Sequence, residues 1–158
     1  MHESCRWVTL ITEEREGRVV GFITGGTSMG PIYKRMLRSP LRLGLALAPA
    51  LVRPAKVRRI LEILRYSGDA KLPEGVPDAE LLSLAVAPEA RGSGVADTLY
   101  RKLVDDFQAR RVGAFHIIVG DALAPAHRFY RRMGATLAGE VQVHEGEPSK
   151  VYIHRIQE

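Results

Sequence analysis

Apolar and polar positions change rhythm several times along the chain, and each change marks an element. Residues 5–13 and 19–25 are rich in Val, Thr, Ile, Trp and Phe, and the polar stretch "EEREGR" joins them, which predicts a β-hairpin. Residues 31–66 read differently. Ser39-Pro40 and Arg53-Pro54 place proline where a first helical turn tolerates it. Val57, Ile60, Leu61 and Leu64 then fall at helical spacing among Lys56, Arg58, Arg59 and Arg65, predicting a basic amphipathic helix that ends near Ser67-Gly68. After the loop "GDAKLPEGVPD", Leu81–Ala87 is apolar except for Ser83, as expected of a central strand covered on both faces. Val95, Leu99, Leu103 and Phe107, spaced by four, predict a helix over 95–110. "AFHIIVG" (114–120) predicts a second buried strand, "APAHRFYRRMG" (124–134) a helix ended by Gly134, and "EVQVHEGEPSKVYIHRI" a closing hairpin. The order implies a mixed α/β (α+β) layer with one parallel pair, Leu81–Ala87 beside Ala114–Gly120, at its centre. No repeat or domain boundary interrupts it, so residues 1–158 are read as one domain with a helical insertion at about 31–66.

Composition narrows the classes. A chain of 158 residues with 46% hydrophobic content can bury a core without staples. Cys5 is the single cysteine, which excludes an internal disulfide framework. The five histidines are scattered and the common zinc spacings are absent, so no metal is expected. The longest apolar run, "LGLALAPALV", is too short to span a bilayer, and the N-terminus lacks a signal-peptide pattern, so a soluble, cytoplasmic chain is expected. A net charge of +5 suits an acidic partner, which could be nucleic acid, a membrane surface or a phosphorylated cofactor.

The chemistry concentrates in "LSLAVAPEARGSGVADTLY", residues 82–100, where a buried strand passes through Arg-Gly-Ser-Gly into a helix. Backbone N–H groups exposed at such a helix start hold anions. A dinucleotide fingerprint needs a third glycine where Asp97 stands, and its acid would face the phosphates. A P-loop needs Gly-Lys-Ser/Thr, which occurs nowhere in the chain. What remains is basic-x-x-Gly-x-Gly/Ala, matched by Arg91, Gly94 and Ala96.

This stretch, continued as "LLSLAVAPEARGSGVADTLYRKLV", resembles the acyl-CoA-binding motif of the GNAT superfamily of N-acetyltransferases, and "HRFYRRMGA" resembles the family's next landmark, a helix with tyrosine four residues before a glycine. The resemblance implies a mostly antiparallel sheet of about six strands, flanked by helices, with one splayed parallel pair. It implies acetyl-CoA as co-substrate, its pyrophosphate on the amides of Arg91, Gly92, Ser93, Gly94, Val95 and Ala96. The pantetheine arm would lie along Leu84, Ala85 and Val86, one of whose N–H groups would polarise the thioester carbonyl. Direct attack by a primary amine in a ternary complex follows from the same resemblance, the acceptor being a small molecule or a peptide. It leaves the oligomeric state open, a homodimer included.

Two residues are candidates for the proton transfers that acetyl transfer to an amine requires. Tyr130, matched through "FYRRMG", would be the general acid at the coenzyme sulfur; read without the family, it is a core tyrosine beside Phe129 and Met133. Glu80, just before the central strand, would be the base, with an exposed loop charge as the plainer reading and His116 as the fallback. The family's frequent asparagine seven residues before the tyrosine is Leu123 here, so a polar contact is lost or passes to Asp121. The chain also reaches its hairpin almost at once, where the family usually begins with a strand and helices; a truncated start is expected. "GTSMG" (26–30) matches a nucleophile elbow with Ser28, but the strand before it closes a hairpin instead of lying in a parallel centre, and the chain is short for that fold. The basic segment 31–66 has only Tyr33 and Tyr66 as aromatics and offers no stacking platform for bases, and its arginines read as a solvated face, so neither nucleic acid nor membrane is expected as a partner and the segment is placed over the acceptor site as a lid or wall. A coenzyme-binding module without catalysis is the remaining alternative.

Overall fold

The structure is a computed structural model in which residues 8–27, 72–144 and 147–157 are described. Cys5, Ser28, the basic helix placed within 31–66 and the chain's first residues lie outside the described residues. The elements are β1 (Val8–Arg15), β2 (Arg18–Gly26), β3 (Glu80–Val86), a single 3-10 turn (Pro88–Ala90), α1 (Val95–Ala109), β4 (Ala114–Gly120), α2 (Ala124–Arg132), β5 (Thr136–His144) and β6 (Glu147–Arg155). They build one six-stranded sheet in the order β1-β2-β3-β4-β6-β5. Only β3 and β4 are parallel; every other neighbouring pair is antiparallel.

The first hairpin is tighter than its sequence suggests. Glu16 and Gly17 both take positive φ, 51° and 73°, so two residues close the loop and the strands extend to Arg15 and from Arg18. Gly134, at φ 91°, ends the α2 region as expected, and the Ala135 N–H returns to the Tyr130 carbonyl at 3.0 Å.

α1 buries Val95, Leu99, Tyr100, Leu103 and Phe107 on the sheet. It sits very close to β2, because the β2 residues beneath it include glycines. A Cβ on Gly25 would stand 2.8 Å from both Leu103 Cδ1 and Phe107 Cζ, and one on Gly21 3.0 Å from Leu99 Cδ1 and the Ala85 carbonyl. The rings of Tyr100 meet Phe129 and Tyr130 of α2 at centroid distances of 5.7 and 6.1 Å, so both helices cover the same face. Ile23, Leu81, Phe115, Ile117 and Val119 complete the core there.

β3 and β4 pair at two positions only, Glu80↔His116 and Leu81↔Ile117. Beyond them β3 stays with β2 and β4 stays with β6, and the two strands part. The cause is local. The β2–β3 register shifts between Thr24↔Ser83 and Gly25↔Leu81, leaving Leu82 without a partner. An extra residue in one strand bends it, and this bulge falls immediately after the last parallel pair. Among the described residues, no helix is long and apolar enough to cross a membrane. Replacing Gly25 by valine should destabilise the fold by about 1–3 kcal/mol, because Leu103 and Phe107 have no room to withdraw. Thermal or denaturant unfolding of the variant measures it.

Candidate active site

The turn between β3 and α1 is built from main chain. Gly92 and Gly94 take φ of 76° and 82°, conformations that favour glycine, and nothing lies within 4 Å of a Cβ placed on either. The Ser93 hydroxyl donates to the Ala90 carbonyl at 2.6 Å and closes the turn. Gly94 is the N-cap of α1 and offers no side-chain cap, so the first amides of the helix have neither an intrahelical nor a capping acceptor. The first backbone bond running back into the turn is Thr98 N–H to the Gly94 carbonyl, at 3.0 Å. A cavity of about 390 Å³ lies over these amides, lined by Val86, Arg91, Gly92, Gly94 and Ala96 together with Phe129 and Arg132 of α2. Helix dipole and open N–H groups make it suited to an anion.

Three contributions to this cradle left no trace in the sequence. Arg132 grips Asp97 with two bonds, at 2.7 and 2.8 Å, across 35 residues. That bond holds the Asp97 carboxyl below the usual carboxylate range, so the acid at the mouth of the cradle is a matched charge. Arg15, from the end of β1, donates to the Ser93 carbonyl at 3.2 Å. Phe129, and not Tyr130, is the aromatic of α2 that lines the cavity.

The parted strands expose an edge. The Ala87 N–H bonds to the Val20 carbonyl at 2.8 Å, which makes Ala87 and Val20 a hydrogen-bonded pair of the β2–β3 ladder. Alternation along an antiparallel ladder then points the main-chain groups of Ala85 to β2 and those of Leu84 and Val86 into the gap beside β4. The Arg91 guanidinium donates to the Val86 carbonyl at 3.3 Å, as this orientation requires. Of the three strand residues singled out in the sequence, Leu84 and Val86 therefore offer backbone to a ligand in the gap, while Ala85 spends its own on the sheet.

At the closed end of the gap stand Glu80 and His116. As a directly paired couple they share one face of the sheet, and alternation against Phe115 and Ile117 puts that face away from α1. His116 is 3% exposed, and its Nε2 lies 3.8 Å from Glu80 Oε2. Burial pushes the Glu80 carboxyl above its ordinary range, and the His116 charge opposes the shift.

Tyr130 is buried at 7% exposure in the ring cluster with Tyr100 and Phe129. Loss of solvent pushes its phenol up to about 12, so it keeps its proton at neutral pH. Leu123 is an exposed residue, and the Asp121 carboxylate is taken by Lys150 at 2.7 Å. Among the described residues no group of His, Cys, Asp and Glu side chains could hold a metal.

The cradle lies at the mouth of the split parallel pair, and the fold is that of an acetyltransferase. The sequence pattern of the Acetyltransferase (GNAT) family matches residues 1–135, and the chain belongs to that family. A comparison of the sequence with curated proteins finds no match. Among solved structures, the chain is similar to a GNAT-family acetyltransferase from Desulfovibrio desulfuricans, with a TM-score of 0.61 at 16% identity over 96% of this chain and 71% of that one. It is similar to the ribosomal-protein-S18-alanine N-acetyltransferase of Escherichia coli, with TM-score 0.56, 14% identity and coverage of 99% and 73%. It is also similar to the PaiA N-acetyltransferase of Thermoplasma acidophilum in complex with coenzyme A, with TM-score 0.56, 11% identity and coverage of 94% and 61%. At these identities the likeness is one of fold.

The Asp97–Arg132 bond yields a prediction. Arg132→Met uncovers a carboxylate beside the phosphate cradle and should weaken coenzyme A binding by roughly 3- to 10-fold. Adding Asp97→Asn should recover most of the loss, as calorimetric titration of both variants will show.

Proposed function

We propose that the protein is an N-acetyltransferase that moves an acetyl group from acetyl-CoA to a primary amine by direct attack in a ternary complex. The observation that carries this is the gap between β3 and β4. It opens between two faces, with the cradle and Tyr130 on the helix side and Glu80 on the other, so donor and acceptor can meet from opposite sides. The fit to acetyl-CoA rests on the chain itself: open amides at Gly94–Ala96 for pyrophosphate, small side chains that allow close approach, and the unpaired edge of Leu84 and Val86 for an amide-bearing arm. When bound, acetyl-CoA supplies the activated acyl group as a thioester.

The residues then divide the work. A main-chain N–H of Leu84 or Val86 is the donor for the carbonyl oxygen. Glu80, a stronger base for being buried, takes a proton from the ammonium of the acceptor. Tyr130 keeps its proton and donates a hydrogen bond to the departing sulfur. The name of the Escherichia coli neighbour, an alanine N-acetyltransferase, supports an amine as the class of acceptor. The exposed Leu123 and the tied Asp121 favour a second reading, a coenzyme-binding module without turnover.

The first experiment is calorimetric titration with acetyl-CoA, with ATP as control, followed by an amine screen for release of free thiol. Binding of acetyl-CoA and not ATP supports the cradle, and turnover separates the enzyme from the module. Tyr130→Phe should lower the maximal rate by on the order of tenfold or more with coenzyme affinity nearly unchanged; an equal rate removes Tyr130 from the mechanism. Because the base must be ionised and its pKa is raised, the rate should fall as pH drops through a value above the ordinary glutamate range. Glu80→Gln should abolish that limb of the pH–rate profile.

A further inference from the structure

Among the described residues, His116 and Ser149 are the buried polar side chains. His116 is tied at three points to one short stretch of chain. Its main-chain N–H donates to the Ala79 carbonyl at 2.8 Å, its Nδ1 lies 2.7 Å from the Pro77 carbonyl, and its Nε2 faces Glu80 at 3.8 Å. A carbonyl oxygen only accepts, so Nδ1 carries a hydrogen in every protonation state that keeps this bond. Nε2 is then the nitrogen that gains and loses a proton, and it is the one turned to the carboxylate. We infer that His116 is the positioning residue of the base, fixing the Glu80 carboxylate at the root of the gap and sharing its proton through Nε2. The inference rests on the reading of Glu80 as the acceptor's base.

The ties explain why the arrangement persists. The imidazole cannot turn without giving up the Pro77 bond inside the protein, and an unmet buried polar group is costly. Glu80 cannot drift, because its main chain pairs with His116 on one side and Gly26 on the other. A separation of 3.8 Å suits an ion pair and becomes a hydrogen bond on closing by about 1 Å. In the cycle, an ammonium N–H gives its proton to the carboxylate and the amine keeps the electron pair. The carboxyl passes that proton to Nε2, which restores the carboxylate and leaves an imidazolium; because His116 is buried, the proton later leaves by way of Glu80, the member of the pair that reaches solvent. Around this pair, Asp78 lies in the loop leading to Glu80, and β6 presents Ile153 at the register position beside His116.

The test needs no substrate. Imidazole nitrogen NMR of the full chain should show the neutral His116 ring carrying its hydrogen on Nδ1. Glu80→Gln should move the Nε2 resonance of the ring, since that nitrogen faces the carboxylate at 3.8 Å. Should that variant fail to fold, Glu80→Asp, which withdraws the carboxylate by one methylene, should shift it the same way by less. A hydrogen on Nε2, or an Nε2 resonance that stays put, overturns the inference. A second readout is kinetic. His116→Asn keeps a donor near the Nδ1 position and removes Nε2, so the acid limb of kcat/KM for the amine should move to higher pH while KM for acetyl-CoA stays the same. A loss of thermal stability with an unmoved limb would make His116 merely structural and overturn its role. An Nε2 resonance that answers to Glu80 without any turnover would instead sink the acetyl-transfer reading, which keeps the two failures apart.

Discussion

The unpaired Leu82 governs the centre of this protein. Two parallel strands in one sheet would ordinarily stay paired, since every second residue of a separated stretch leaves an N–H and a C=O without a ladder partner. Here the bulge bends β3 as soon as Leu81 has met Ile117, while β2 and β6 hold the outer edges of the two strands. The exposed groups of Leu84 and Val86 are thus paired by solvent, by Arg91, or by a ligand that brings its own amides. A sheet that leaves its central edge unsatisfied in this way has created a binding groove with no added element.

That groove sorts the chemistry by face. On the helix side the requirements are closeness and positive potential, and the chain meets them with glycine, alanine and helix-start amides instead of a cluster of cations. The same preference for small residues recurs in β2, where Gly21 and Gly25 let α1 settle onto the sheet. The depth of α1 fixes where its N-terminus points, so core packing and anion binding are set by one helix position. On the opposite face the proposed reaction asks for a proton acceptor of adequate strength, a role for which burial strengthens Glu80.

Much of this was legible in the sequence because local signals dominate it. The period-four stripe Val95–Phe107 gave α1 to within a residue, and "AFHIIVG" is β4 as observed. The Arg-x-x-Gly-x-Ala turn carries its backbone requirement in its glycines, and both indeed take positive φ. The misses are contacts across sequence distance. Nothing in the chain announces that Arg132 neutralises Asp97, so the acid at 97 looked hostile to phosphate when it is paired. The Glu80–His116 couple depends on parallel register, which periodicity cannot specify. The direction of a strand's main-chain groups depends on pairing as well, and so Ala85 could not be told from Leu84 and Val86.

Burial acts in the same direction on the two residues proposed to handle protons, with opposite consequences. It strengthens Glu80 as a base. It also weakens Tyr130 as an acid, and that limits what the phenol can do. With Tyr130 pushed up to about 12 and an ordinary thiol near 8.5, full transfer of the phenolic proton to a departing thiolate is uphill by several kcal/mol. A hydrogen bond to the developing negative sulfur has no such cost, and bonds to charged groups contribute about 1.5–3 kcal/mol. In the proposed reaction the thiolate therefore leaves as an anion steadied by Tyr130. The aromatic cage of Tyr100 and Phe129 around the phenol keeps the donor neutral and in place; it does not need to make it acidic.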